Sequence, residues 1–214
     1  MDGLLLDSER IALSTFVDSC KEHDFEPNIE VYYSCIGTNA SKTREILLEG
    51  HGNNFPYEAI TELWAKKYHE EALNKPVPTK EGVLSLLQYL KQEGVKKAVV
   101  TSTRKRNALI KLSNAKILHF FDIVLGGDQV LNGKPNPEVY LTASQKLNEP
   151  PTKCLALEDS DNGVLAAHNA GITVIQVPDL KEPSVKIQAL GHKIVKSLTE
   201  VERMFKSFNS TSSS

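Results

Sequence analysis

Long hydrophobic runs, paired cysteines and any surplus of charge are missing from this sequence, and each absence removes a class of protein. No apolar stretch approaches the roughly 20 residues that a membrane-crossing helix needs. The opening Met1-Asp2-Gly3-Leu4-Leu5-Leu6-Asp7 carries no basic segment of the kind that starts a signal peptide. The cytoplasm is therefore the expected location, with no membrane partner. Cysteine occurs three times, at Cys20, Cys35 and Cys154; an odd number spaced this widely gives neither a disulfide framework nor a zinc site. Twenty-five basic residues stand against 27 acidic ones, a formal net charge of -2, so nothing recommends nucleic acid as a partner. The six histidines form no HxxxH or HExxH spacing, and no GxGxxG is present, which disfavours a zincin-type centre and a dinucleotide-binding domain. Asp159-x-Asp161-x-Gly163 lacks the third acidic position and the later bidentate Glu of a calcium loop.

What is present is a chain of 214 residues, 40% of them hydrophobic, enough for one packed core and a small accessory domain. From Ser8 to Asn74 apolar residues recur at helical spacing, at Ile11, Phe16, Val17 and Cys20, then Ile46 and Leu47, then Ile60, Leu63, Trp64 and Tyr68. The prolines of Lys75-Pro76-Val77-Pro78 mark a boundary. Beyond it, helical patterns alternate with short apolar runs: Ala98–Val100, Phe121–Leu125, Cys154–Leu157, Ile172–Val177 and an edge candidate at Lys193–Val195. That alternation demands parallel pairing through right-handed crossovers. The expected fold is α/β, a doubly wound, Rossmann-like parallel sheet with an inserted all-α cap. Residues 1–7 and 79–208 would form the core, 8–78 the cap, and 209–214 a disordered tail.

Ligands of open parallel sheets bind beyond the carboxyl ends of the strands, so the residues following each apolar run carry the interest. Thr101-Ser102-Thr103 follows the first run, Gly126-Gly127-Asp128 the second, Glu158-Asp159-Ser160-Asp161 the third, and Lys134 sits in Gly-Lys-Pro-Asn-Pro between them. Hydroxyls and a lysine suit phosphoryl oxygens, and carboxylates suit Mg2+. Each piece alone has an ordinary reading: a solvated acidic loop, a turn or helix cap, a surface lysine. Three carboxylates within four positions at the end of a buried strand, however, repel one another unless a cation offsets them. In the helical segment Asn39, Lys42, Arg44 and His51 are polar candidates with no assigned role.

Taken in order, Asp2-Gly3-Leu-Leu-Leu-Asp7-Ser8, Val100-Thr-Ser102-Thr, Gly133-Lys134-Pro-Asn-Pro and Leu157-Glu158-Asp159-Ser-Asp-Asn-Gly163 resemble the four motifs of the haloacid dehalogenase (HAD) superfamily. The helical insertion after the first motif is similar to the C1 cap of subfamily I, in the branch of β-phosphoglucomutase-like enzymes and sugar- or nucleoside-phosphate phosphatases. The resemblance implies that Ser102, Thr103 and Lys134 bind the phosphoryl group. It implies further that Glu158, Asp159 and the Asp2 carbonyl hold Mg2+, and that Asp2, with Lys134 as the other catalytic residue, is the general acid/base. Asp7 would belong to the hinge. A small phosphorylated substrate is the implied partner, and a monomer is slightly favoured.

In the family pattern the nucleophilic Asp stands one position before the place of Met1, at the end of an apolar strand. The expectation is that a longer chain supplies both, giving an Mg2+-dependent phosphatase that works through an aspartyl-phosphate. Two alternatives stay open: a phosphomutase sharing every motif, and a catalytically silent binding protein lacking the first core strand.

Overall fold

The computed structural model describes residues 1–212 apart from Gly37 and Asn39. Four helices come first: α1 (Ser8–Lys21), α2 (Ile29–Cys35), α3 (Ala40–His51) and α4 (Tyr57–Leu73). They close on a core of their own, formed by Phe16, Cys20, Tyr32, Leu47, Phe55 and Ile60. The Phe16 ring lies 5.1 Å from that of Tyr32 and 5.2 Å from that of Trp64. Trp64 also donates its indole N–H to the Ala12 carbonyl at 2.9 Å, so this lone tryptophan packs the helices together.

Two passages of chain join this helical domain to the rest, and they run side by side. The Asp7 N–H donates to the Pro78 carbonyl at 2.9 Å, and the Lys80 N–H to the Leu5 carbonyl at 3.0 Å. The remainder alternates as α5 (Val83–Gln92), β1 (Ala98–Val100), α6 (Lys105–Asn114), β2 (Ile123–Leu125), α7 (Glu138–Leu147), β3 (Leu155–Glu158), α8 (Asp161–Asn169), β4 (Thr173–Gln176), α9 (Val185–Gln188), β5 (Lys193–Ile194) and α10 (Leu198–Ser212). Successive strand residues serve opposite layers, as the two-residue repeat dictates. Val124 and Ile175 join the layer of Leu86, Leu112 and Leu198, while their neighbours Leu125 and Val174 join that of Val139, Val164 and Ile187.

Every strand pair is parallel, but the strands form two sheets. β1 pairs with β2 in the register Ala98 with Ile123, and β3, β4 and β5 pair in that order. A cavity of about 580 Å³ lies between β1 and β3, lined by Met1, Leu86, Leu87, Val99, Ala156 and Leu157 among others. Residues of β1 and of β3 both form its wall.

The helix of α10 runs through Ser212. Residues 213 and 214 lie outside the described residues.

Phe16 is fully buried at the meeting of three aromatic rings. Phe16→Ala is expected to cost about 3–5 kcal/mol of stability, read from urea unfolding; a loss under about 1 kcal/mol would mean that this core is not a cooperative unit.

Candidate active site

The loops leaving β1 and β3 and the segment after β2 meet on one side of the core. They enclose a cavity of about 540 Å³ lined by Asp2, Ser102, Thr103, Lys134, Glu158 and Asp159, and overhung by Glu9, Ile36, Thr38 and Tyr68 of the helical domain. All six residues singled out in the sequence are brought to this one place. The apolar slot is larger, yet none of the six lines it; polarity marks the site, and size does not.

Two glycines permit the crowding. Gly3 has φ +73°, and a Cβ there would stand 2.5 Å from Asp159 Oδ2; a Cβ on Gly163 would stand 2.0 Å from Glu158 Oε2. Any side chain at either position would displace a carboxylate. Ser160 Oγ caps α8 by accepting from the Gly163 N–H at 3.3 Å, which fixes the turn carrying Glu158 and Asp159.

Asp2 is held at both carboxylate oxygens. Oδ1 accepts from Ser8 Oγ and from Lys111 Nζ, each at 2.7 Å, and Oδ2 accepts from Thr103 Oγ1 at 2.8 Å. Burial pushes this acid up, but the Lys111 ammonium, then the Met1 amino group of the chain as it stands, and the hydrogen bonds from Lys111 and Ser8 outweigh it and bring the pKa down to about 2. Lys134 reaches the Val100 carbonyl at 3.2 Å and also bonds the Glu158 carboxylate. Tyr140 donates its hydroxyl to the same Glu158 oxygen. Against the effect of burial, Lys134 holds the Glu158 pKa below its ordinary value. Asp159 has no such cation, and burial followed by the neighbouring Glu158 charge pushes it up to about 7. Ser102 is the exposed member, with its hydroxyl at the cavity wall.

That electrostatic pattern fits a divalent cation. Adjacent acids, one raised by the other, are the donor set an ion would relieve, and Mg2+ characteristically takes one or two carboxylates and completes its shell with water and phosphate oxygens. A closed protein cage is not required, and among the described residues no three His, Cys, Asp or Glu side chains form one.

Four residues of the site were not found from sequence: Glu9, Tyr68, Lys111 and Tyr140. Lys111 had a usable signal, since it falls on the buried face of α6 with Ala108 and Leu112, where a lysine needs a partner. Tyr68 lies one turn beyond Trp64 on an apolar face and looks like packing alone. Nothing in the local pattern distinguishes Glu9 from other acids in the first turn of a helix. Among the described residues, three polar candidates of the helical domain do not line the cavity: Arg44 pairs with Glu58 at 3.0 Å, Lys42 pairs with Glu45 at 2.5 Å, and His51 stacks on Phe55 with ring centres 4.6 Å apart. Asn39 lies outside the described residues.

Comparison with known proteins gives this geometry a family. The pattern of the haloacid dehalogenase-like hydrolases matches residues 1–177. The chain belongs to that family. It is 32% identical over 175 residues to a phosphorylated carbohydrates phosphatase from Thermotoga maritima, covering 80% of this chain and 79% of the other. A validoxylamine A 7'-phosphate phosphatase from Streptomyces hygroscopicus is 30% identical, with 94% and 92% covered. Among solved structures, a Thermotoga maritima protein assigned to the beta-phosphoglucomutases superposes with a TM-score of 0.79 at 27% identity, covering 97% of this chain and 96% of the other. This HAD member therefore sits in the phosphoglucomutase-like branch of subfamily I and is a phosphohydrolase by kinship.

The shifted acids set a pH dependence. Asp159 and Glu9 are both pushed up to about 7, Glu9 by burial first and then by Asp2 and Asp179. Between about pH 4 and pH 7 the folded chain keeps protons there that the unfolded chain has released, so these groups make stability fall as pH rises. Asp2 acts in the opposite sense, adding stability above about pH 4 that is lost as pH falls toward 2. Without divalent cations, urea midpoints should be higher near about pH 5 than near about pH 7.5, and Asp159→Asn should shrink the gap; equal midpoints in the unsubstituted chain would contradict the assignment.

Proposed function

We propose that this HAD chain is an Mg2+-dependent phosphatase for a small phosphorylated metabolite, such as a sugar or nucleoside phosphate, acting through an aspartyl-phosphate. The observation carrying this reading is the convergence of Asp2, Ser102, Thr103, Lys134, Glu158 and Asp159 on one cavity beneath the helical domain. The names of the relatives supply the substrate class.

Each residue has a task in that chemistry. The Ser102 and Thr103 hydroxyls and the Lys134 ammonium hold phosphoryl oxygens and screen their charge. Glu158, Asp159 and the Asp2 carbonyl would hold Mg2+, which when bound neutralises charge that builds on the transferring group. Asp2, ionised in the substrate-free chain, takes up a proton from water and passes it to the leaving oxygen, and its carboxylate afterwards takes one from the water that cleaves the acyl phosphate. The attacking carboxylate is proposed to stand at the end of a short apolar strand, joined to Met1, that runs between β1 and β3. The 580 Å³ slot and the two strand edges facing it support that placement. The reading frame ahead of Met1 should then encode an apolar stretch ending in Asp; an in-frame stop directly before it would defeat the proposal.

Activity is tested with a panel of phosphate esters, with and without Mg2+. Phosphate release from at least one member, lost on chelation, is expected, and none from any member would overturn the reading. Asp2→Asn should lower kcat by roughly 10²- to 10⁴-fold with much less effect on Mg2+ binding. The structural likeness to a protein assigned as a beta-phosphoglucomutase favours one second reading, a phosphomutase. Transfer of label from a sugar bisphosphate to a sugar monophosphate would separate it from hydrolysis.

A further inference from the structure

Lys111 lies in α6 at 2% exposure, and a buried ammonium is costly unless it is paired and hydrogen-bonded. Its Nζ donates to Asp2 Oδ1 and to the Tyr68 hydroxyl, each at 2.7 Å, and lies 4.9 Å from the centre of the Tyr68 ring. The three residues come from three places: the start of the chain, a helix of the α/β domain, and α4 of the helical domain. With Thr103 on its other oxygen, the Asp2 carboxylate is gripped from both sides and cannot turn about its own axis without giving up a charge-assisted bond. An apolar residue would fill the same space between Ala108 and Leu112. Only a long cation reaches both Asp2 and Tyr68.

We propose that Lys111 is a positioning residue for Asp2, and that Tyr68 makes this positioning depend on how the helical domain is seated. The inference rests on the reading of Asp2 as the group that protonates the leaving oxygen. In that step the Asp2 carboxylate, ionised in the substrate-free chain, first takes a proton from water; the ester P–O bond then breaks, its electron pair stays on the leaving oxygen, and that proton passes to the oxygen from the Asp2 carboxyl. A carboxyl turned aside by an ångström loses its line to the oxygen, and misplacement on that scale is worth up to about a hundredfold in rate.

Leaving groups separate positioning from bulk packing. An alkyl phosphate needs its leaving oxygen protonated, whereas an aryl phosphate expels a stable phenoxide unaided. In the protein with its strand between β1 and β3, Lys111→Met should lower kcat on the alkyl ester by roughly ten- to a hundredfold and on the aryl ester by less than about threefold. Lys111→Arg, which keeps charge and reach, should recover most of the loss. Tyr68→Phe should move the alkyl-to-aryl ratio in the same direction by a smaller factor, and it keeps the proposal testable if Lys111→Met fails to fold. Equal losses on both esters in Lys111→Met and Tyr68→Phe, or no loss in either, would overturn it. A second measurement stands apart from turnover: on the chain as it stands, urea midpoints of Asp2→Asn, Lys111→Met and the double variant should be non-additive, the double no less stable than Lys111→Met alone. If the unsubstituted protein cleaves neither ester, the phosphatase reading falls and the positioning role with it, and non-additive midpoints would then leave Lys111 as a structural partner of Asp2 only.

Discussion

Four carboxyl groups, those of Asp2, Glu9, Glu158 and Asp159, line a single cavity with the Lys134 ammonium, while the Lys111 ammonium pairs with Asp2 from behind the wall, and the unequal sharing of those two cations organises everything around them. Lys111 serves Asp2 and Lys134 serves Glu158, which leaves both acids ionised. Asp159 and Glu9 are left over and move up to about 7. Unpaired acids this close would ordinarily be removed as a liability. Their persistence makes sense where a divalent cation supplies the missing charge and where a phosphate brings its own negative charge to Lys134.

The backbone is arranged to keep that imbalance in place. Glu158 ends β3 and leads directly into α8, whose first turn is capped by Ser160. Gly163 must lack a Cβ because Glu158 occupies that space, and Gly3 must lack one because Asp159 does. Glu158 is therefore held by main-chain geometry as well as by hydrogen bonds, and Asp159 by main-chain geometry. The slot between β1 and β3 adjoins the same region, with Met1, Val100 and Leu157 in its wall. A strand running there in parallel with its neighbours would end beside Thr101 and Glu158, where a further side chain would enter the cavity.

Much of this was legible in the sequence, for reasons that can be stated residue by residue. Short apolar runs such as Ala98–Val100 and Ile172–Val177 have the length and β-branched content of buried strands, and the polar residues that follow them had to lie at the sheet's carboxyl edge. That rule alone put Ser102, Glu158 and Asp159 at one rim. Partners contributed by the sides of helices were far less visible. Tyr140 and Tyr68 hide in apolar periodicity because a tyrosine can serve packing with its ring and a ligand with its hydroxyl. Glu9 was invisible because its environment is made by burial under the folded chain first, and then by Asp2 and by Asp179, the latter some 170 positions away in sequence. The division into two sheets was also beyond periodicity, since pairing depends on which strands are neighbours and not on any strand's own pattern.

The helical domain meets the α/β domain through two kinds of tie, and their strengths differ in a way that suits a site needing to admit a substrate. At the hinge, Asp179 is almost fully buried and is shared by Arg10 of α1 and by Lys80, with Asp7 close to both cations. Breaking such a cluster would strand a buried charge at a cost of about 3–5 kcal/mol, so the hinge end stays joined. Over the cavity, the direct tie is the Lys111 to Tyr68 bond, and a hydrogen bond of this charged kind contributes about 1.5–3 kcal/mol. The tie at Tyr68 is therefore the weaker of the two, and it is the one that bears directly on Asp2 through Lys111.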